Sequence, residues 1–217
     1  HYFIFSHSVS QYYTAGKYEL EALELINELF KSHDRLIVVG GSGLYVDALC
    51  YGLDDFPPAD IELRNTLMHR LETEGLESLR MELKKLDPES YYDIDIANRQ
   101  RVVRALEVNL MTGRKFSSFK SNKIKERPFK INKIVMSLPR EELYDKINRR
   151  VDMMFDAGLV QEVEGLMHYR HMPALQTVGY KEIFDYFDGK HSLDVAKDLI
   201  KRNSRRYAKR QITYFKR

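Results

Sequence analysis

Arg205 stands inside a basic segment, Lys197 to Arg217, that holds nine Lys or Arg and one acid, Asp198. Nine minus one gives +8, against +3 for the whole chain, so the remainder is mildly acidic. Ser192 is placed to cap a helix that begins at Leu193. On that helix Lys201, Arg205 and Lys209 form one i, i+4 row, and Arg202, Arg206 and Arg210 form the row beside it. Leu199, Ile200, Ala208, Ile212 and Phe215 are left to face a core. Like charges at this spacing repel one another, so the rows suit a polyanion, a phosphate chain above all. The plain alternative is a solvated basic face.

Two further strings have residue types fit for phosphate or base contacts. Gly40-Gly41-Ser42-Gly43 falls between an apolar run and a helical pattern, where backbone N–H groups and the helix dipole receive anions. It is no Walker A loop, because neither Lys-Ser nor Lys-Thr follows the glycines; a tight turn with Ser42 as N-cap explains it equally well. In Asn98-Arg-Gln-Arg-Val-Val-Arg-Ala-Leu-Glu-Val108, Arg99, Gln100, Arg101 and Arg104 share a helix whose buried stripe is Val102, Val103, Leu106 and Leu110. Arg101 and Arg104, at i, i+3, could grip adjacent phosphates or bases; an Arg–Glu network is the alternative. His168 and His171 lack a third metal-ligating neighbour at zinc spacing. Cys50 is the only cysteine, so no internal disulfide exists. Asp152, Asp156, Glu162 and Glu164 lie along helices that also carry Arg149 and Arg150, so ion pairing and solvation explain them, and no Ser/His/Asp or Cys/His set stands out.

These residues need a scaffold. With 217 residues, 43% hydrophobic and 31% charged, the chain suits an ordinary globular protein of one large or two small domains. No apolar run approaches the ~20 residues of a membrane helix. Arg35-Leu-Ile-Val-Val-Gly reads as a buried parallel strand, as does Lys133-Ile-Val-Met-Ser, and residues 1–5 as a strand end. Helical periodicity covers 19–31, with Leu20, Leu23, Ile26, Leu29 and Phe30 inward, then 44–51, 61–74, 76–86 and 98–112, with Gly113 as C-cap. It resumes at 140–157, 159–168, 177–187 and 193–214. Between the two sets, Arg114 to Lys133 has eight Lys or Arg against Glu126 alone and reads as a linker or strap with few apolar anchors. An α/β core interrupted by a helical insertion follows: residues 1–58 and 123–217 form the core, and 59–122 the insertion.

Five strings together resemble one family, the tRNA dimethylallyltransferases or tRNA isopentenyltransferases. They are Val38-Val-Gly-Gly-Ser-Gly-Leu-Tyr45; Phe56-Pro-Pro-Ala-Asp60 with Arg64; Asn98 to Val108 with Thr112-Gly113; Gln176-Thr-Val-Gly-Tyr-Lys181; and Ser204-Arg-Arg-Tyr-Ala-Lys-Arg-Gln-Ile-Thr-Tyr214. The resemblance implies transfer of a dimethylallyl group from dimethylallyl diphosphate to N6 of the adenosine 3′ of the anticodon, assisted by Mg²⁺. It implies a fold like the P-loop kinases, with a parallel-sheet core and an all-helical insertion that holds the anticodon stem-loop. By position, Arg205 would bind the diphosphate and Ser42 would lie near the reacting adenine, where the family usually has Thr. Arg64, Gln100, Arg101, Arg104, Thr177, Gly179, Tyr180, Lys181, Lys209, Arg210 and Gln211 would hold the tRNA. The expected setting is the cytoplasm, without membrane, with one chain acting as a monomer.

The family's phosphate loop, G-P-T-x-x-G-K-[ST], and its D-S-x-Q string with the presumed general base have no counterpart in these residues. They would precede His1, which makes the chain an excerpt whose core is incomplete at the N-terminus and which alone would not turn over. Two rival functions accompany this reading. An adenylate isopentenyltransferase would share the glycine turn but need no anticodon-gripping insertion, and a non-catalytic RNA-binding module would keep only the basic faces.

Overall fold

The computed structural model describes residues 1–121 and 123–216; the expected domain boundary at Asn122 and the last core residue, Arg217, lie outside the described residues. Among the described residues ten α-helices follow in chain order: α1 Ala15–Leu29, α2 Gly43–Tyr51, α3 Ile61–Thr73, α4 Leu76–Leu86, α5 Pro88–Asp93, α6 Arg99–Thr112, α7 Arg140–Asp156, α8 Leu159–Gly165, α9 Tyr180–Phe187 and α10 Leu193–Phe215. They fall into two compact units, one of residues His1–Tyr51 with Arg127–Arg217, the other Gly52–Glu126.

The Gly52–Glu126 unit is built on α3, α4 and α6. Leu67, Leu71, Leu79, Leu83, Val102, Val103, Ala105 and Leu106 form its buried core, each leucine stabilising it by about 1.5–3 kcal/mol relative to exposure. Asp60 caps α3 by accepting from the Leu63 N–H, and Asn98 caps α6 by accepting from Gln100 and Arg101. Gly113 ends α6 with φ +66°, a left-handed cap that favours glycine. The following segment is better anchored than its composition suggests. Phe116 stacks on Phe56 at 4.5 Å, and Ser117 donates through both its N–H and its hydroxyl to buried Asp87. Leu110, expected in the buried stripe, is 42% exposed, because α6 turns Val102, Val103, Leu106 and Asn109 inward instead.

The other unit has two apolar clusters. One joins α1 to α2 through Ala22, Ile26 and Leu49; the second, around Val151, Leu159, Val163, Ile183 and Ile200, is built from α7 to α10. The inward face of α1 is Ala15, Glu19, Ala22 and Ile26, so Leu20, expected to face the core, lies outside at 71% exposure. Buried Glu19 is possible because Arg127 meets it at 2.8 Å. The same guanidinium donates to the carbonyls of Ala48 and Leu49 near the end of α2, where a cation also suits the helix dipole.

The expected strands are absent among the described residues. Residues 36–40 and 133–137 carry no strand pairing, and Ile37, Val39, Ile134 and Met136 are about nine-tenths exposed (91, 91, 89 and 94%). A strand exists only through its neighbours' hydrogen bonds, and a parallel one also needs cover on both faces. Apolar sequence alone supplies neither. Residues 1–5 are likewise irregular, with Phe3 and Phe5 at positive φ. Among the described residues, no helix is long and apolar enough to cross a membrane.

Candidate functional site

The glycine turn and α10 are brought together. The Gln211 side-chain amide donates to the Gly41 carbonyl at 2.7 Å, and the Tyr214 hydroxyl donates to the Gly43 carbonyl at 2.9 Å. This approach needs glycine: a Cβ on Gly41 would lie 2.1 Å from Gln211 Nε2, and one on Gly43 2.7 Å from the Tyr214 ring. Between them opens a shallow cleft of about 240 Å³, lined also by Ser42, Leu44, Tyr207 and Arg210. Ser42 is exposed at the start of α2. Lys209 and Arg210 are exposed, and the Arg210 guanidinium lies 5.6 Å from the Tyr207 ring centre.

Earlier on α10, the basic row faces α7. Lys197 and Lys201 both reach Asp152, at 2.8 and 2.7 Å, and these two bonds hold its carboxyl below the usual range. Arg205 Nη1 donates to Asn148 Oδ1 at 2.6 Å. Arg205 therefore has no carboxylate partner among the described residues, whereas the lysines before it share one.

The Thr177–Lys181 stretch begins as a loop and becomes helical only at Tyr180, later than its periodicity suggests. Gly179, at φ +106°, is buried, and its N–H donates to Glu182 Oε2 at 2.8 Å. Glu182 Oε1 accepts from Asn203 of α10 at 2.6 Å, so one buried carboxylate ties the loop to the basic helix. Sequence reasoning passed over Glu182, although an acid three residues after a helix-start position is the spacing that bonds back to it. Tyr180 donates to Glu162, and burial first, then this bond, pushes its pKa up to about 12. Thr177 and Lys181 are exposed.

In the helical unit, the Phe56–Asp60 string and the Asn98–Val108 string meet at Glu107, which is fully buried. Arg64 donates to Glu107 Oε2 through Nε at 3.0 Å and Nη2 at 2.7 Å. Arg104 Nη1 is 3.0 Å from Oε1, its Nη2 donates to the Pro57 carbonyl, and the Asp60 N–H donates to Oε1 at 2.9 Å. Two expected tRNA contacts are thus engaged in an Arg–Glu–Arg node. Gln100 and Arg101 stand exposed at the start of α6 and make no ion pair among the described residues.

The described residues contain no group of three or more His, Cys, Asp or Glu able to hold a metal ion. Mg²⁺ is commonly bound by one or two carboxylates together with substrate phosphates and water, not by a cage of side chains.

The whole chain, residues 1–217, matches the family model described as IPP transferase. The chain belongs to the IPP transferase family. Its similarity to named members is extensive. It is 50% identical over 215 residues to a tRNA dimethylallyltransferase of Cytophaga hutchinsonii, covering 99% of this chain and 71% of that protein. It is 48% identical over 217 residues to tRNA dimethylallyltransferase 1 of Bacteroides thetaiotaomicron, covering 100% of this chain and 70% of that protein. Among solved structures it is similar to the tRNA isopentenylpyrophosphate transferase of Bacillus halodurans. That match has a TM-score of 0.65 and 36% identity, covering 100% of this chain and 68% of that one. A eukaryotic dimethylallyltransferase acting on tRNA shares the fold, with a TM-score of 0.66 at 24% identity, over 96% of this chain and 54% of that one.

Proposed function

We propose that this IPP transferase moves a dimethylallyl group from dimethylallyl diphosphate to N6 of the adenosine 3′ of the tRNA anticodon. In this reaction the C1–O bond to diphosphate breaks as the N6–C1 bond forms. The amine gives up one proton and diphosphate departs. The observation that carries the reading is Arg205, oriented by a neutral amide and without a carboxylate partner among the described residues. Such a guanidinium stabilises the charge that grows on a departing diphosphate. The cleft beneath Tyr214 and Gln211 offers Ser42 and an aromatic face to the adenine, whose amine is a poor nucleophile and gains from fixed placement. The base must leave its loop stack to reach such a cleft.

The tRNA is held by separate basic elements: Lys209 and Arg210 on α10, Thr177 and Lys181 on their loop, and Gln100 with Arg101 in the helical unit, which takes the anticodon stem-loop. Recognition of a folded RNA loop through several spaced contacts is the usual mode. The enzyme acts as a monomer in the cytoplasm. An acceptor competition tests the assignment: the full-length enzyme with labelled dimethylallyl diphosphate should label unmodified tRNA and leave equimolar AMP unlabelled. Preferential labelling of AMP would move the protein to the adenylate isopentenyltransferases. No labelling of either would leave an RNA-binding module.

A further inference from the structure

Between α7 and α10 the residues that meet are spaced by four on both helices and form a ladder in which Lys197 and Lys201 share the Asp152 rung and Arg205 spans the Asn148 and Tyr144 rungs. On α7 the row is Tyr144, Asn148 and Asp152; on α10 it is Arg205, Lys201 and Lys197. At the Asp152 end a full negative charge is shared by two lysines. One turn along, Asn148 accepts from Arg205 with a neutral oxygen at 2.6 Å. At the last rung, the Arg205 guanidinium lies 5.9 Å from the Tyr144 ring centre, and Arg140 lies 5.1 Å from the same ring. The compensating charge on α7 thus falls from carboxylate to amide to aromatic ring as α10 runs toward Arg205.

An arginine in a structural role is usually matched by a carboxylate, as Arg127 is by Glu19 and Arg64 by Glu107 in this same protein. Arg205 differs. Its fork carries only donors, so the Asn148 side chain must present its oxygen, which fixes the guanidinium's direction without cancelling its charge. Arg140 beside the same ring adds a second positive group, and two guanidiniums over one ring favour an anion in their vicinity over either remaining alone.

We infer that Asn148 is a positioning residue for the transfer reaction: it aims Arg205 at the diphosphate and, by being neutral, leaves that arginine's charge for the leaving group. This rests on the reading of Arg205 as the diphosphate's partner. An aspartate at 148 would make a stronger local ion pair and a poorer enzyme, so stability and diphosphate binding should move in opposite directions. A residue of merely structural importance would move them together.

The test uses the full-length enzyme, inorganic diphosphate as the calorimetric ligand, and thermal unfolding of each variant. Asn148→Asp should weaken diphosphate binding by about tenfold or more, since it pairs the charge the ligand needs, with a melting temperature equal to or above wild type. Asn148→Ala, which removes the acceptor and adds no charge, should weaken diphosphate binding a few-fold and leave tRNA affinity unchanged; it keeps the test open if the aspartate variant does not fold. Wild-type diphosphate affinity in both variants, with Arg205→Ala weakened, would overturn the role of Asn148 and leave the reading of Arg205 standing. A wild-type affinity in Arg205→Ala would overturn the reading beneath it and the inference with it. Lower melting temperatures in proportion to lost affinity would also overturn it, making Asn148 an ordinary packing residue.

Discussion

The carboxylate of Glu107 is fully buried, and Arg64, Arg104 and the Asp60 N–H converge on its two oxygens. Removing it would leave two guanidiniums facing each other with no counter-charge. Glu107→Ala should therefore destabilise the helical unit by about 3 kcal/mol, read as earlier loss of amide protection in α3 and α6 by hydrogen exchange. The two arginines of α6 should separate by role. Arg101→Ala should lower the salt slope of tRNA binding by about one with the fold intact, while Arg104→Ala should chiefly lower stability. Equal salt-slope changes from both would show that Arg104 also meets phosphate. Asp87 gives a pH-dependent counterpart. Burial would raise its pKa, but hydrogen bonds from Ser90 and Ser117 outweigh this and hold the carboxyl below its ordinary value. With the folded pKa the lower one, its stabilisation is complete above the unfolded value of about 3.9 and disappears as pH falls through the folded value. Wild type should lose stability on acidification through that window, and Asp87→Asn, weaker at neutral pH, should lose less. Parallel pH curves would contradict this. At this scale the sequence showed which residues carry charge, and the i, i+3 spacing of Arg104 and Glu107 even allowed their pairing. It could not show Arg64 arriving from 43 residues away, because such a meeting depends on how α3 packs against α6.

At the scale of elements, caps were the most legible features. Ser192 begins a helix and Gly113 ends one as side chain and backbone freedom require, and α4 runs over the residues its periodicity marks; Asn98, read as helical, is instead the N-cap of α6. The strands were not legible in the same way. The Ile37–Val39 and Ile134–Met136 stretches are apolar enough for strands, yet they stand exposed, because pairing comes from neighbours and not from composition. The glycine turn lies between these cases: its role as a turn was readable, but the reason for Gly41 and Gly43 was not. That reason sits on α10, 170 and 171 residues farther along, in Gln211 and Tyr214. Gly43→Ala should push the Tyr214 ring off the turn, break its bond to the residue 43 carbonyl and cost about 1–2 kcal/mol. Tyr214→Phe should lose only the hydrogen bond and cost less. Thermal unfolding of both variants checks the order, and a larger loss from Tyr214→Phe would mean the hydroxyl, not the close approach, holds the turn.

For the molecule as a whole, α10 divides its work along its length. Its first half is tied down through Asp152, Asn148 and, by way of Asn203, Glu182. Its last turns cover the glycine turn and expose Lys209 and Arg210. The charge run was plain in the sequence, and so was its two-row spacing. What packing on α7 adds is a division within one row, because Lys201 shares the Asp152 carboxylate with Lys197 while Arg205 meets no carboxylate among the described residues. Lys209→Ala with Arg210→Ala should weaken tRNA binding and lower its salt slope by about one to two, with the rate at saturating tRNA little changed. The decisive measurement is the Arg205→Ala enzyme assayed with saturating tRNA and dimethylallyl diphosphate, alongside its tRNA dissociation constant. The division of labour predicts that the transfer rate falls by about 100-fold or more while tRNA affinity stays at the wild-type value. A wild-type rate with weakened tRNA binding would contradict it.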